Sequence, residues 1–473
     1  MSRILGKPCL AVISIISFLS LTACSGSGAV SPAANDADVG SAGSGTKTVS
    51  LSVMTSDRFL ELAKQKFEES HPNINIDIKE YAAAPDTGMK GPNTTIITKP
   101  DPKNTEKYVS TVGTELMSGK ASDIIVMNGL PYKKYADKKL LENISDLMSR
   151  DKSFQQSDYY TDIMDAMKYK GALYTVPIRF GLNKWLGNQA LLADKSIDDA
   201  NWTWQNFKSL AAEWMTDRNN DGKPDVYPLG YIEPNALIAV MLGANYAKFV
   251  DDAGKKANFD SPEFMQMLKL AKSMYDEKII PADNTDNNNV VFNPKLNIMM
   301  AMDMYSMPKM FFDGKAAYYN PPSENDSRGA SFTTNMPVSI NSKSANKKEA
   351  WEFVKFLLTD EMQSVRELNG FPVNRNGAKA QAESLKTLGT GEGGGGKGMR
   401  LNVNGKELAL QPAADQDIAA IMNALDNVKQ YAESDLKISD IVSSETGPFF
   451  QGQKTAEEAA KTIQNKVSIY LQE

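Results

Sequence analysis

Histidine and cysteine are almost missing from this chain: 473 residues include one histidine, His71, and two cysteines, Cys9 and Cys24. A single histidine leaves no basis for a His-based triad or a His-rich metal centre. Cys9 lies in the N-terminal leader and Cys24 directly after it, so the residues beyond have no thiol for a disulfide, a cysteine nucleophile or a zinc site, and must fold by packing alone. Excess positive charge is also lacking. The formal net charge is −6, which argues against a nucleic-acid partner. No apolar run is comfortable as a membrane span either: the one from Leu10 to Leu21 falls short of the ~20 residues a bilayer requires.

That short run follows Arg3 and Lys7 and has the shape of a secretory signal over residues 1–23. Leu21-Thr22-Ala23-Cys24 resembles the lipobox of bacterial lipoproteins, which implies cleavage before Cys24, acylation of that cysteine (palmitate included) and attachment to the extracytoplasmic face of the cell membrane. The segment 24–47 is rich in Gly, Ser and Ala and reads as a flexible linker between lipid and globule.

From Thr48 onward strands and helices alternate. "TVSLSVM" places Val49, Leu51 and Val53 on one strand face. Ser56 or Asp57 can cap a helix carrying Phe59, Leu62, Ala63 and Phe67, and "NINIDIKEY" alternates Ile74, Ile76 and Ile78 as a second strand. His71, before Pro72, is a turn residue. A polar stretch over 82–105 reads as a surface excursion, and "SDIIVM" at 122–127 as a short buried strand. Repeated β-α alternation predicts an α/β fold around a covered, mostly parallel sheet, with ligand-binding edges beyond the carboxyl ends of its strands. The middle third is more helical: Thr203 caps a helix carrying Trp204, Phe207, Leu210 and Trp214, and Ser261-Pro262-Glu263 opens another. "LGTGEGGGGKGM", 388–399, is a glycine-rich loop.

Five segments in this order are "LSVMTSDRFLELAKQKFEESHPNINIDIKEY", "GKASDIIVMNG", "KGALYTVPIRFGLNKWLGNQALL", "WTWQNFKSLAAEW" and "KKEAWEFVKFLLTDEMQ…NGFPVNR". Together they resemble extracellular solute-binding proteins of family 1, the maltodextrin-binding-like type. The resemblance implies a two-lobed periplasmic-binding-protein-like (type II) fold with hinge crossings near Tyr174 to Ile178, Met304 to Phe311 and Leu357 to Asp360. It assigns 48–176 and 312–358 to lobe 1, and 177–311 and 359–473 to lobe 2. A monomer that closes on an oligosaccharide or other small solute and delivers it to ABC permease subunits is implied, with no catalytic residues. The chain departs from the family pattern at 82–105, at 378–412 and in its long C-terminal helical part. An extracellular carbohydrate-active enzyme, which would need paired carboxylates across a cleft, and a sensor lipoprotein are the alternative readings.

Sugar recognition needs flat aromatic faces and planar polar groups that meet pairs of hydroxyls. By family position, Arg179, Phe180, Asn183 and Trp185 would face the cleft; Trp185 could equally pack under the second lobe, and Arg179 could serve a structural salt bridge. Loop candidates are Tyr231, Glu233 and Asn235, then Asp303, Tyr305 and Ser306 at the second crossing, and Ser56, Asp57 and Asn128 in the first lobe. Trp204, Trp214 and Trp351 read as core. The run "NIMMAMDMYSMPKMFF" reads as irregular core filling rather than a soft-metal surface.

"DRNNDGKPD", 217–225, offers oxygens from Asp217, Asn219, Asp221, the carbonyl of Lys223, and Asp225, with Gly222 where a calcium loop turns sharply. Pro228 stands where an EF-hand has its bidentate Glu, so a structural calcium would need a remote carboxylate. An Asx-rich turn without metal is the other reading.

Overall fold

In a computed structural model, the described residues are 45–82, 101–192, 195–217, 219–294, 297–324, 330–388, 400–403 and 406–473. The expected signal, Cys24 and most of the linker lie outside them, as do most of the excursion at 82–105 and the glycine-rich loop.

Strand Lys47–Val53 pairs in parallel with Ile74–Glu80 along its full length, Lys47 opposite Ile74 and Val53 opposite Glu80, and with Ile124–Val126 on its other edge. Val49, Leu51 and Val53 are at most 2% exposed, as their alternation predicts. Between the first two strands runs helix Arg58–Ser70. Its cap is Asp57, in extended conformation, whose carboxylate accepts the Leu60 N–H; Phe59, Leu60, Ala63 and Phe67 are buried. His71 closes the helix and stacks on Phe67 with ring centroids 4.1 Å apart, the turn role expected of it.

The opposite face of the sheet is covered by helix Pro102–Ser118, which starts inside the expected excursion because Asp101 caps it. Its Tyr108 donates to the carbonyls of Ser52 and Val126. Two late arrivals complete the sheet: Pro337–Ile340 pairs antiparallel with Ile124–Val126 and with Val176–Pro177.

Two further large sheets follow, beside two-stranded ribbons Val250–Asp251 with Lys256–Ala257 and Arg400–Val403 with Lys406–Ala409. One orders Ala316–Tyr319, Trp185–Asn188, Val290–Asn293 and Tyr227–Leu229; the other orders Asn297–Ile298, Arg179–Asn183, Ala330–Thr334 and Val428–Tyr431, with Phe371–Pro372 on Arg179–Asn183. The apolar side chains gather into two large cores. The first joins the opening sheet to the Arg179–Asn183 sheet through Phe67, Phe180, Phe332, Phe353 and Phe371. The second surrounds Trp185, Trp204, Phe207, Phe264 and Phe292. Two cores of this size in one chain make the two-lobed α/β architecture that the family resemblance implies.

The chain passes between the cores repeatedly. Leu182 belongs to the first and Trp185 to the second; Phe292 and then Ile298, and later Val428 and then Ile438, mark further passages. Val176 and Ile178 both pack in the first core, so the first passage comes after the Tyr174–Ile178 stretch to which the resemblance assigned it. Met362 to Val428 contribute to the first core and Ile438 to Leu471 to the second.

The second lobe's helices keep their sequence signals. Thr203 and Asn206 form a reciprocal capping box on helix Trp204–Trp214 and Ser261 caps Pro262–Asp276; the structure adds a capping box of Thr455 with Glu458 on Ala456–Gln472. The methionine run forms helix Ala301–Met310, whose Met302, Met304 and Met307 pack partly buried against the first core. Among the described residues no helix is long and apolar enough to cross a membrane.

Candidate functional site

Arg179 opens the strand Arg179–Asn183 and is 7% exposed. All three faces of its guanidinium are used: Nη2 donates to Asp57 Oδ2 at 2.7 Å, Nη1 to the Leu368 carbonyl at 2.5 Å and Nε to Asn335 Oδ1 at 2.8 Å. Gly370 is required beside it, because a Cβ there would lie 2.7 Å from the arginine's Cβ and 2.9 Å from its Cδ. Asn335, in the short link from Ala330–Thr334 to Pro337–Ile340, also accepts through its carbonyl from Asn128 Nδ2 at 2.6 Å. Asp57, Asn128 and Arg179 are thus brought together by a residue that the sequence reading passed over.

These groups sit at the carboxyl ends of the first sheet's strands. Asp57 also holds the positive end of helix Arg58–Ser70 through the Leu60 N–H. Ser56 donates its N–H to Glu80 Oε1 at 3.0 Å and its hydroxyl to Glu61 Oε1 at 2.6 Å. The edge therefore offers carboxylate and amide groups, partly exposed, on a rigid base.

Asn183 lies at the far end of the same strand and donates to Ser331 Oγ at 3.1 Å. The next residue, Lys184, sits between the two cores and donates to Asn320 Oδ1 at 2.7 Å. Burial pushes the Lys184 ammonium down, with Asp199 opposing. Asn320 is itself fixed by Asp199, which accepts its N–H at 2.6 Å, and by Trp202, which donates to its carbonyl at 3.0 Å.

Two expectations for this segment are corrected. Phe180 is fully buried, its ring packed on Tyr160, Phe332 and Phe371. Trp185 is 3% exposed and makes edge contacts with Trp202, Trp204 and Phe207. Both strands are covered on two faces, so neither ring is left to stack on a ligand. The packing alternative holds for Trp185, and Arg179 does make a salt bridge.

At the second crossing, Asp303 turns back on its own helix and accepts the N–H groups of Met299 and Met300 at 2.8 and 3.1 Å. Burial pushes its carboxyl up, against those two bonds. Tyr305 and Ser306 are 4% and 6% exposed; Tyr305 belongs to the first core and donates to the Gln411 carbonyl at 2.7 Å. Their expected cleft role is corrected, because both side chains are buried, Tyr305 against segment 408–413. On the second lobe, Tyr231 donates to Glu233, and Asn235 accepts from Thr446 Oγ1 at 3.0 Å. Tyr231 and Glu233 lie on a loop whose Ile232 carbonyl accepts from Tyr275 Oη at 2.8 Å, and Asn235 stands in the first turn of the following helix Pro234–Gly243.

A second polar cluster gave no sequence signal, because its members come from four distant segments. Lys133, in helix Tyr132–Asp137, donates to Asp252 Oδ2 at 2.8 Å and pairs with Glu433. Its ammonium lies 5.7 and 5.5 Å from the ring centroids of Tyr169 and Tyr246. Burial works to lower Lys133, but Glu433 and Asp252 outweigh it and the ammonium is held up. Burial pushes Glu433 up as well, with Asp252 and Asp435 adding to it, since one lysine is shared between two carboxylates.

In the 217–225 loop the side chains wrap the turn's own amides. Asp217 accepts from the N–H groups of Asp221 and Gly222, Asn219 from Asp221, and Asp221 from Lys223. Gly222 has φ +80°, the conformation expected at the sharp turn. Asn219 donates to Asp225, and Lys278 donates to the Gly222 carbonyl. These oxygens are of the type calcium prefers, and their present arrangement is that of an Asx-rich turn. Among the described residues no three His, Cys, Asp or Glu are grouped to hold a metal ion.

Residues 54–364 match a family described as bacterial extracellular solute-binding protein. The fold is similar to an ABC substrate-binding protein from Listeria monocytogenes solved with cycloalternan, at 18% identity and TM-score 0.55, covering 90% of this chain and 99% of that one. It is also similar to the sugar-binding protein MalE of Xanthomonas citri, at 16% identity and TM-score 0.59, covering 90% and 98%. The maltose/maltodextrin-binding domain of Bdellovibrio bacteriovorus, bound to maltotriose, matches at 14% identity and TM-score 0.52, covering 90% and 100%.

Proposed function

The chain belongs to the bacterial extracellular solute-binding proteins, and from that premise we propose that it captures an oligosaccharide or related solute between its lobes and delivers it to ABC permease subunits. The observation that carries this reading is the convergence of Asp57, Asn128 and Arg179 on Asn335 at the strand ends of the first lobe, near the chain passages between the cores. Carboxylate and amide groups held rigidly at such an edge suit pairs of sugar hydroxyls. The solved neighbours that carry saccharides support the ligand class.

The work done is binding and release. A ligand that touches both lobes only when they are closed shifts the population to the closed state by the difference in its contacts. The second lobe's share is assigned to Tyr231, Glu233 and Asn235, with Asn183 and Lys184 between the cores. In the same reading the protein is a monomer, anchored by lipid on Cys24 to the extracytoplasmic face. Calcium in the 217–225 loop would be held by Asp217, Asn219, Asp221, the Lys223 carbonyl and Asp225, stiffening the approach to Tyr231. Titration calorimetry against a panel of oligosaccharides tests the central reading. Saturable heat that weakens in Asn335→Ala supports it, and no heat with any member refutes it.

A further inference from the structure

We infer that Lys133 is a positioning residue for lobe closure, a cation of the first lobe that holds the second lobe across the cleft without being a ligand group itself. The inference rests on the reading that the lobes close on a solute.

The short helix Tyr132–Asp137 follows the loop of Asn128 at the carboxyl end of strand Ile124–Val126. Lys133 therefore projects from the same edge as the candidate site. Of its two carboxylate partners, one comes from the second lobe and the other from the connection to it. Asp252 follows strand Val250–Asp251, whose Val250 packs in the second core, and Glu433 lies between strand Val428–Tyr431 and helix Leu436–Phe450, on the last passage between cores.

Neighbouring contacts follow the same seam. Lys134 donates to the Tyr470 carbonyl at 3.1 Å and lies 4.1 Å from that ring's centroid, while Lys138 donates to the Glu473 carbonyl at 3.2 Å. Gly129 is packed against Leu436, where an added Cβ would lie 2.4 Å from Cδ1. One segment of the first lobe thus meets the Val250–Asp252 stretch, the start of helix Leu436–Phe450 and the C-terminal helix end.

Lys133 and Asp252 are each 17% exposed, and Glu433 21%. Contacts so shielded are weakly screened by salt. Tyr246 adds a bond to Asp252 Oδ1 at 3.3 Å, and Asp435 is occupied by Tyr470 and by the N–H groups of Lys437 and Ile438. Without Lys133, Asp252 and Glu433 would face each other uncompensated, and removing one member of a shielded ion pair costs more than the pair contributes. Opening would draw Asp252 away from Lys133, so the cluster favours one lobe arrangement over the other.

Small-angle scattering of the full chain without added solute tests this. Lys133→Met should shift the radius of gyration upward, Asp252→Asn should shift it less, and Lys133→Arg, which keeps the charge, should stay near the parent value. A folded Lys133→Met protein with an unchanged radius overturns the inference. If that variant does not fold, an unchanged radius in Asp252→Asn overturns it equally. Because no ligand enters the measurement, a failed sugar titration would refute the proposed function and leave this result standing.

Discussion

Arg179 Nη2 donates to Asp57 Oδ2 at 2.7 Å, fastening the strand Arg179–Asn183 to the cap of helix Arg58–Ser70. Asp57 is also the cap, so one carboxylate serves the helix and the arginine together. Replacing Arg179 with Met leaves the Leu368 carbonyl, the Asn335 amide and Asp57 without their donor. The expected loss is about 2–4 kcal/mol, below the full figure for a deeply buried pair because Asp57 is partly exposed. Arg179→Lys should recover only part of it, since an ammonium cannot reproduce the fork. Denaturant unfolding of the three proteins checks the order.

Asp151 ties two helices of the first lobe. It accepts from Trp351 Nε1 at 3.0 Å and Lys355 Nζ at 2.7 Å, and from the N–H and hydroxyl of Ser153. Burial would raise its carboxyl, but these bonds together win, led by the one from Lys355, and hold it well below the usual range. A depressed folded value gives stability that is present above the unfolded value near pH ~4 and is lost as pH falls through the folded one. Asp151→Asn should therefore be less stable than the parent at pH 7 by about 1–3 kcal/mol, and the gap should narrow steadily below about pH 4. A constant gap across that range would contradict the assignment.

Glu433 and Asp435 carry the opposite sign. Both carboxyls are pushed up, chiefly by burial, so the folded state holds their protons more tightly than the unfolded one. Their contribution to stability rises as pH falls through the raised folded values and is lost at higher pH. Glu433→Gln should flatten this part of the pH–stability curve while Asp151 still governs its acid limb.

Trp185 belongs to the second core. Trp185→Ala should destabilise by about 3–5 kcal/mol, and Trp185→Phe, if folded, should bind solute with nearly parental affinity. A stable Trp185→Ala protein with abolished binding would restore the stacking role.

If calcium occupies the 217–225 loop, chelation lowers the melting temperature and Asp217→Ala removes that response. Solute affinity should change only slightly. An identical melting temperature with and without chelator identifies the loop as a metal-free turn.

Much of the first lobe was legible in the sequence, because its rules are local. Alternation marked Lys47–Val53 and Ile74–Glu80, and in the second lobe the caps at Thr203 and Ser261 fixed two helix starts. Asp57 and Arg179 were named, yet their convergence was not visible, since Asn335 reaches Arg179 from 156 residues away. Lys133 and Asp252 are separated by 119 residues, and no periodicity encodes such a pairing. Phe180 and Trp185 misled for a different reason. Their cleft role came from family position, which does not say which side chains the neighbouring elements cover, and here both rings are buried.

The central claim is solute capture between the lobes, and its most direct measurement is calorimetric titration of the protein with malto-oligosaccharides and a broader glycan panel, repeated on Asn335→Ala. The account predicts a saturable one-to-one heat for at least one glycan, weakened roughly tenfold or more, about 1.4 kcal/mol, by the substitution. Absence of heat across the panel, or binding untouched in a folded Asn335→Ala protein, would contradict it.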